Sequence, residues 1–164
     1  MFALLVCNTA YYLFGTTWTK GLDELAWLTL LALFALETGF DGRFRARRMM
    51  TVIHGLRLAA AAAVGAAAIG YAYQREWLDA VNTALWIAVV VLLETEVRAP
   101  HAVTRHRAGF TATAVTLYGG LAALVLAWAW RGEWLDAYDA ALWLTAFAMI
   151  EMDVLRGSRR EAAV

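Results

Sequence analysis

Proline occurs once in the chain, at Pro100, so no long apolar run is obliged to kink or stop at a ring that cannot donate a hydrogen bond. Cysteine also occurs once, at Cys7, which excludes an intramolecular disulfide and any cysteine-based metal cluster. Charge is sparse at 17%, against about a quarter in ordinary soluble domains. The opening "MFALLVCNTAYYLFG" lacks the basic stretch and small-residue cleavage site of a secretory signal, so it is expected to be retained. Cys7 has neither a small residue before it nor a basic start to the chain, and lipidation is not expected. Nucleophile motifs, phosphate-cradling glycine loops and metalloprotease signatures are missing too. An enzyme is therefore not expected, nor a cofactor.

What fills the space is apolar. Hydrophobic residues make up 62% of the 164 and mean hydropathy is +0.57, which places the chain in a bilayer. A hydrocarbon core of about 30 Å takes roughly 20 apolar residues per helix. Runs of that kind recur at about 2–18, 22–40, 52–73, 77–97, 109–130 and 134–155. The expected fold is an all-α integral membrane protein, a single transmembrane domain over 1–164 with six transmembrane helices.

The basic residues are unevenly placed. Arg43, Arg45, Arg47 and Arg48 follow the second run, Arg98, Arg105 and Arg107 the fourth, and Arg156, Arg159 and Arg160 the sixth. Lys20, Arg75 and Arg131 alone lie in the other connections, and Arg57 sits just inside the third run, able to snorkel. Short basic loops stay cytoplasmic, so both termini are expected inside a bacterial-type inner membrane. The opposite turns, "TKGLDE", "QREWLD" and "RGEWLDAYD", then face outward with Trp18, Tyr73, Trp77, Trp128, Trp130 and Trp134 at their boundary. Basic inner loops suit anionic lipid headgroups. No nucleic-acid motif surrounds them, and topology accounts for the arginines without such a partner.

One phrase is written twice. "EWLDAVNTALW", 76–86, returns as "EWLDAYDAALW", 133–143. The same offset of 57 carries Asn82 to Asp139, Trp86 to Trp143, Glu94 to Glu151 and Glu96 to Asp153, and backwards it carries Glu94 to Glu37. Three tandem units follow, about 1–48, 49–105 and 106–164. Each is a helix, an outer turn and a second helix ending in acid then base. Units with two spans each point the same way, giving parallel hairpin repeats. Trp77 and Trp134 read as interface anchors. Asp79 and Asp136 fall in the first turn of the returning helix, where a carboxylate meets free backbone N–H groups and the positive end of the dipole. The third run, "LAAAAAVGAAAIG", with Gly65 and Gly70, reads as a close-packing helix, and Gly119 and Gly120 give the fifth run a weaker version.

Candidates for chemistry are the acids within apolar helices, which cost about 2.5 to 3.5 kcal/mol at the bilayer centre. Glu37, Glu94 and Glu151 lead, with Glu96 and Asp153 beside them. Asp79, Asn82, Trp86, Val90 and Glu94 fall on one stripe of a helix, and Asp136, Asp139, Trp143 and Glu151 repeat it. Two readings follow: a proton or ion path, or ion pairs and interhelical bonds that close the helix ends. His54, His101 and His106 lack the spacing of a metal site. The expectation is a noncatalytic scaffold or accessory subunit that packs with itself or membrane partners; the alternative is a small proton or cation transporter or channel.

Overall fold

The computed structural model describes residues 2–39 and 47–161, and side chains at 2, 37–39, 47–48, 97, 100 and 150–161 lie outside the description. Among the described residues there is helix and no strand. The elements are α1 (Phe2–Gly15), α2 (Trp18–Gly39), α3 (Arg47–Gln74), α4 (Trp77–Arg98), α5 (Pro100–Arg105), α6 (Arg107–Arg131) and α7 (Trp134–Glu161). They form two compact units, Phe2–Ala80 and Val81–Val164.

In the first unit α1 turns directly into α2. The Thr16 hydroxyl donates to the Tyr12 carbonyl at 2.8 Å as α1 closes. Thr17 then caps α2: its carbonyl accepts from the Gly21 N–H at 3.1 Å and its hydroxyl from the Lys20 N–H at 3.4 Å. Helix therefore begins at Trp18, and "TKGLDE", expected as an outer turn, lies inside α2. The cap explains the difference, because it satisfies the first N–H groups just ahead of the charged residues. Leu5, Asn8, Thr9 and Tyr12 are buried at helical spacing on one face of α1. A Cβ on Gly21 would come within 3.1 Å of the Leu13 backbone, so these two helices approach closely.

Helix α3 packs antiparallel on α2 through Ile53, Ala60, Val64, Ala67 and Tyr71, a buried stripe with small residues at its centre. The expected close approach is found at Gly70, where a Cβ would stand 2.9 Å from Thr19 Cγ2. It is not found at Gly65, which faces open space. The two glycines are five residues apart, about 500° around the helix, and so point in different directions.

The second unit buries Thr83, Trp86 and Val89 of α4, Leu121, Leu124 and Trp128 of α6, and Ala137, Ala140, Leu142, Trp143 and Ala146 of α7. Trp86 packs on Phe147 with ring centroids 4.7 Å apart, and Leu85 lies against Gly120, so α4 meets both later helices. Gly119 faces open space.

Among the described residues three helices are long and apolar enough to cross a membrane: Met49–Gln74, Trp77–Glu96 and Arg107–Arg131. The other three expected spans are not singled out in this way among the described residues, and each is shorter or more interrupted by charge. At 1.5 Å per residue the 14 residues of α1 reach about 21 Å. In α2 the apolar stretch between Glu24 and Glu37 is twelve residues, about 18 Å. In α7 the stretch between Asp139 and Glu151 is eleven, about 17 Å.

Candidate functional site

The polar side chains that the first unit brings together lie at the start of α2 and the end of α3. Asp23 and Glu24 are buried although both are acids, and Thr19 is buried beside them. On α3, Gln74 Nε2 donates to Thr19 Oγ1 at 2.5 Å, and one turn earlier the Tyr71 hydroxyl donates to Asp23 Oδ2 at 3.2 Å. From the first turn of α4, Asp79 Oδ1 meets Lys20 Nζ at 3.3 Å, with both side chains only 15% exposed. Asp23, Asp79 and Glu24 all lie within electrostatic reach of the Tyr71 ring. Three carboxylates thus surround Tyr71, one of them paired with Lys20, in a closely packed setting where a charge is tolerated only with partners and hydrogen bonds.

Each part of this cluster follows from local structure. The Thr17 cap starts α2 early enough that Thr19 and Asp23, four apart, project from one face. Gly70 lets α3 come close at that level. A tight turn then returns the chain so that Asp79 faces Lys20. Arg75 takes φ +62, while the Arg75 N–H donates to the Ala72 carbonyl at 3.3 Å and the Glu76 N–H to the Tyr71 carbonyl at 2.9 Å. This is the paired bond pattern of a Schellman ending.

The residues expected from the sequence are distributed differently. Asp79 is in the first turn of α4 as read, and it serves as one half of the Lys20 ion pair. Asp136 occupies the first turn of α7 and is half-buried, as is Asp139. Trp77 and Trp134 are 63% and 70% exposed at the starts of α4 and α7. Glu94 is exposed and bonded to Arg98 one turn on, a local pair on the helix surface, and Glu96 is exposed as well. Asn82 is half-buried, with Oδ1 shielded and without a hydrogen bond among the described residues. Glu37, Glu151 and Asp153 lie outside the described side chains. The stripe from Asp79 to Glu94 therefore runs from a packed end to an exposed one.

Lys20, Asp23, Glu24, Tyr71 and Gln74 were not among the candidates. The signal that finds them is the threonine cap at Thr17 followed by a polar pair at i, i+4, which extends α2 backwards through the charged segment. Among the described residues no group of three or more His, Cys, Asp or Glu side chains is arranged to hold a metal. What the cluster can do is hold helices together or exchange a proton among its acids. The class these observations define is a protein helical throughout its described residues, three of whose helices there are long and apolar enough to cross a membrane. No known protein family, curated protein or solved structure matches the chain.

Proposed function

We propose that the protein is a noncatalytic polytopic membrane protein that packs with itself or with membrane partners, as a scaffold or accessory subunit. In this reading six helices form three tandem hairpins in a bacterial-type inner membrane, with both termini cytoplasmic. The observation that carries it is the use made of buried polar groups: Lys20 with Asp79, Asp23 with Tyr71 and Thr19 with Gln74 each join one helix to another. Such bonds between helices fix packing where lipid supplies no hydrophobic drive. Helices α1, α2 and α7, short or interrupted by charge, gain their place in the bilayer by packing on their neighbours, α1 on α2, α2 on α3 and α7 on α6. Exposed Trp18, Tyr73, Trp77, Trp130 and Trp134 at the helix ends suit the headgroup boundary.

A second reading, a proton or cation path, is favoured by one feature: the burial of Asp23 and Glu24 next to each other. Carboxylates so placed are costly in a membrane and mark ion pathways in many proteins. Under this reading the path runs by Asp23 and Glu24, because Glu94 is already bonded to Arg98 at the surface. Flux of H⁺, Na⁺ and K⁺ through liposomes containing purified protein separates the two. A scaffold gives flux no greater than empty liposomes. Flux that falls in Asp23→Asn or Glu24→Gln, and persists in Glu94→Gln, would replace the scaffold reading with the conducting one.

A further inference from the structure

We propose that the connection between α4 and α6, residues 98–107, is a binding surface for anionic phospholipid headgroups. The proposal rests on α4 and α6 crossing a bilayer and not on the scaffold reading. From 97 to 107 the chain carries Arg98, Arg105 and Arg107 and no acid. All three arginines are exposed, and so are His101 and His106, whose ring nitrogens add polar groups to the same surface. The connection joins neighbouring ends of two helices long and apolar enough to cross, so it lies in the plane of the headgroup phosphates.

Its backbone is suited to that plane. The Ala99 N–H donates to the Thr95 carbonyl at 2.9 Å, and the N–H groups of Ala102 and Val103 both donate to the Ala99 carbonyl, at 2.9 and 3.2 Å. The His106 N–H reaches the Ala102 carbonyl at 3.0 Å and the Phe110 N–H the His106 carbonyl at 3.1 Å. The Thr104 hydroxyl closes on the His101 carbonyl at 3.0 Å. A connection whose amides are paired internally loses little on leaving bulk water. Ala99 and Val103 are half-buried, so the apolar side of the connection is partly covered while its three arginines, only Arg105 of them on α5, stay exposed. Among the described residues the acids adjoining it along the chain are on α4: Glu94, which bonds Arg98, and exposed Glu96. Arg105 and Arg107 lie beyond them and offer planar forks that match phosphate geometry. Nucleic acid is the poorer fit, since no Phe, Tyr or Trp between 98 and 109 offers a stacking surface for bases.

The test places the full-length protein in phosphatidylcholine bilayers carrying a trace of spin-labelled lipid and measures the motionally restricted fraction. Spin-labelled phosphatidylglycerol is expected to associate about threefold more than spin-labelled phosphatidylcholine at low salt, an electrostatic preference of the size a few interfacial arginines provide. It should fall toward onefold as salt is raised to about 0.5 M, because the headgroup region is screened within a Debye length. The triple variant Arg98→Gln, Arg105→Gln, Arg107→Gln should abolish the preference, while Arg131→Gln at the α6–α7 turn should keep it. If the triple variant does not fold, the single variants Arg105→Gln and Arg107→Gln decide, each expected to lower the preference. Equal association of the two lipids, or a preference indifferent to salt or to the triple variant, overturns the proposal. Equal association with tight binding of a short RNA would move the surface to nucleic acid. No restricted lipid of either kind would instead remove the membrane reading itself.

Discussion

Lys20 pairs with Asp79 with both side chains only 15% exposed, so its removal differs from the loss of a surface lysine. Breaking a shielded pair from one side leaves a charge without its counterpart, which costs more than the pair contributes as a whole. Asp79→Asn or Lys20→Met should lower stability in detergent by about 1 to 3 kcal/mol, and the double variant should lose less than the sum of the two. Glu94→Gln serves as the contrast: its pair with Arg98 is exposed on both sides and should be worth under about 0.5 kcal/mol. Chemical unfolding of the four variants beside the wild type checks this, and additive losses would mean that the two side chains do not act together. The sequence made Asp79 legible, because acids are expected in a first helical turn. It hid Lys20 and Asp23, because a glycine among charged residues reads as a turn until the threonine cap before it is weighed.

The helix endings at α3 and α6 show how far the repeated phrase reaches into geometry. Gly132 takes φ +78, its N–H donates to the Ala129 carbonyl at 3.2 Å, and the Glu133 N–H donates to the Trp128 carbonyl at 2.9 Å. These are the bonds made by Arg75 and Glu76, 57 residues earlier. The next helix also opens alike, with the Ala80 N–H on the Glu76 carbonyl at 3.0 Å and the Ala137 N–H on the Glu133 carbonyl at 3.1 Å. The duplicated phrase, an anchor and cap by its sequence, is equally the second half of a Schellman ending. Only one of the two endings has the residue that its left-handed position favours. Arg75→Gly should therefore stabilise by about 1 kcal/mol, and Gly132→Ala should destabilise by a similar amount, since a Cβ in that region crowds the following carbonyl. Thermal unfolding in one detergent compares the two directly. A loss from Arg75→Gly would show that its side chain contributes more than its backbone costs. The close approach of α2 and α3 was legible only in part, since composition marks a helix rich in small residues but does not say that Gly70, rather than Gly65, faces its neighbour.

At the scale of the whole chain, hydropathy and arginine placement bear on different questions, and the two need not give the same answer. Hydropathy and length single out α3, α4 and α6 as able to cross a bilayer on their own composition, and three crossings put the termini on opposite sides. Arginine placement calls for six crossings and puts both termini inside, which requires α1, α2 and α7 to be carried by their neighbours. The first unit has the means: α2 keeps Asp23 and Glu24 against α3 rather than toward lipid, and α1 buries Asn8 and Thr9. The two arrangements separate at the connections. With Cys7 replaced by Ala, single cysteines at Thr16, Arg75 and Arg131 should all react with a membrane-impermeant thiol reagent added to intact cells if six helices cross. Cysteines at Arg45 and Arg105 should react only after the membrane is opened. Three crossings by α3, α4 and α6 would instead put position 16 on the same side as 45 and 105, and opposite 75. Position 16 is therefore the deciding site, and its protection alongside 45 and 105 would reduce the six-helix topology to three.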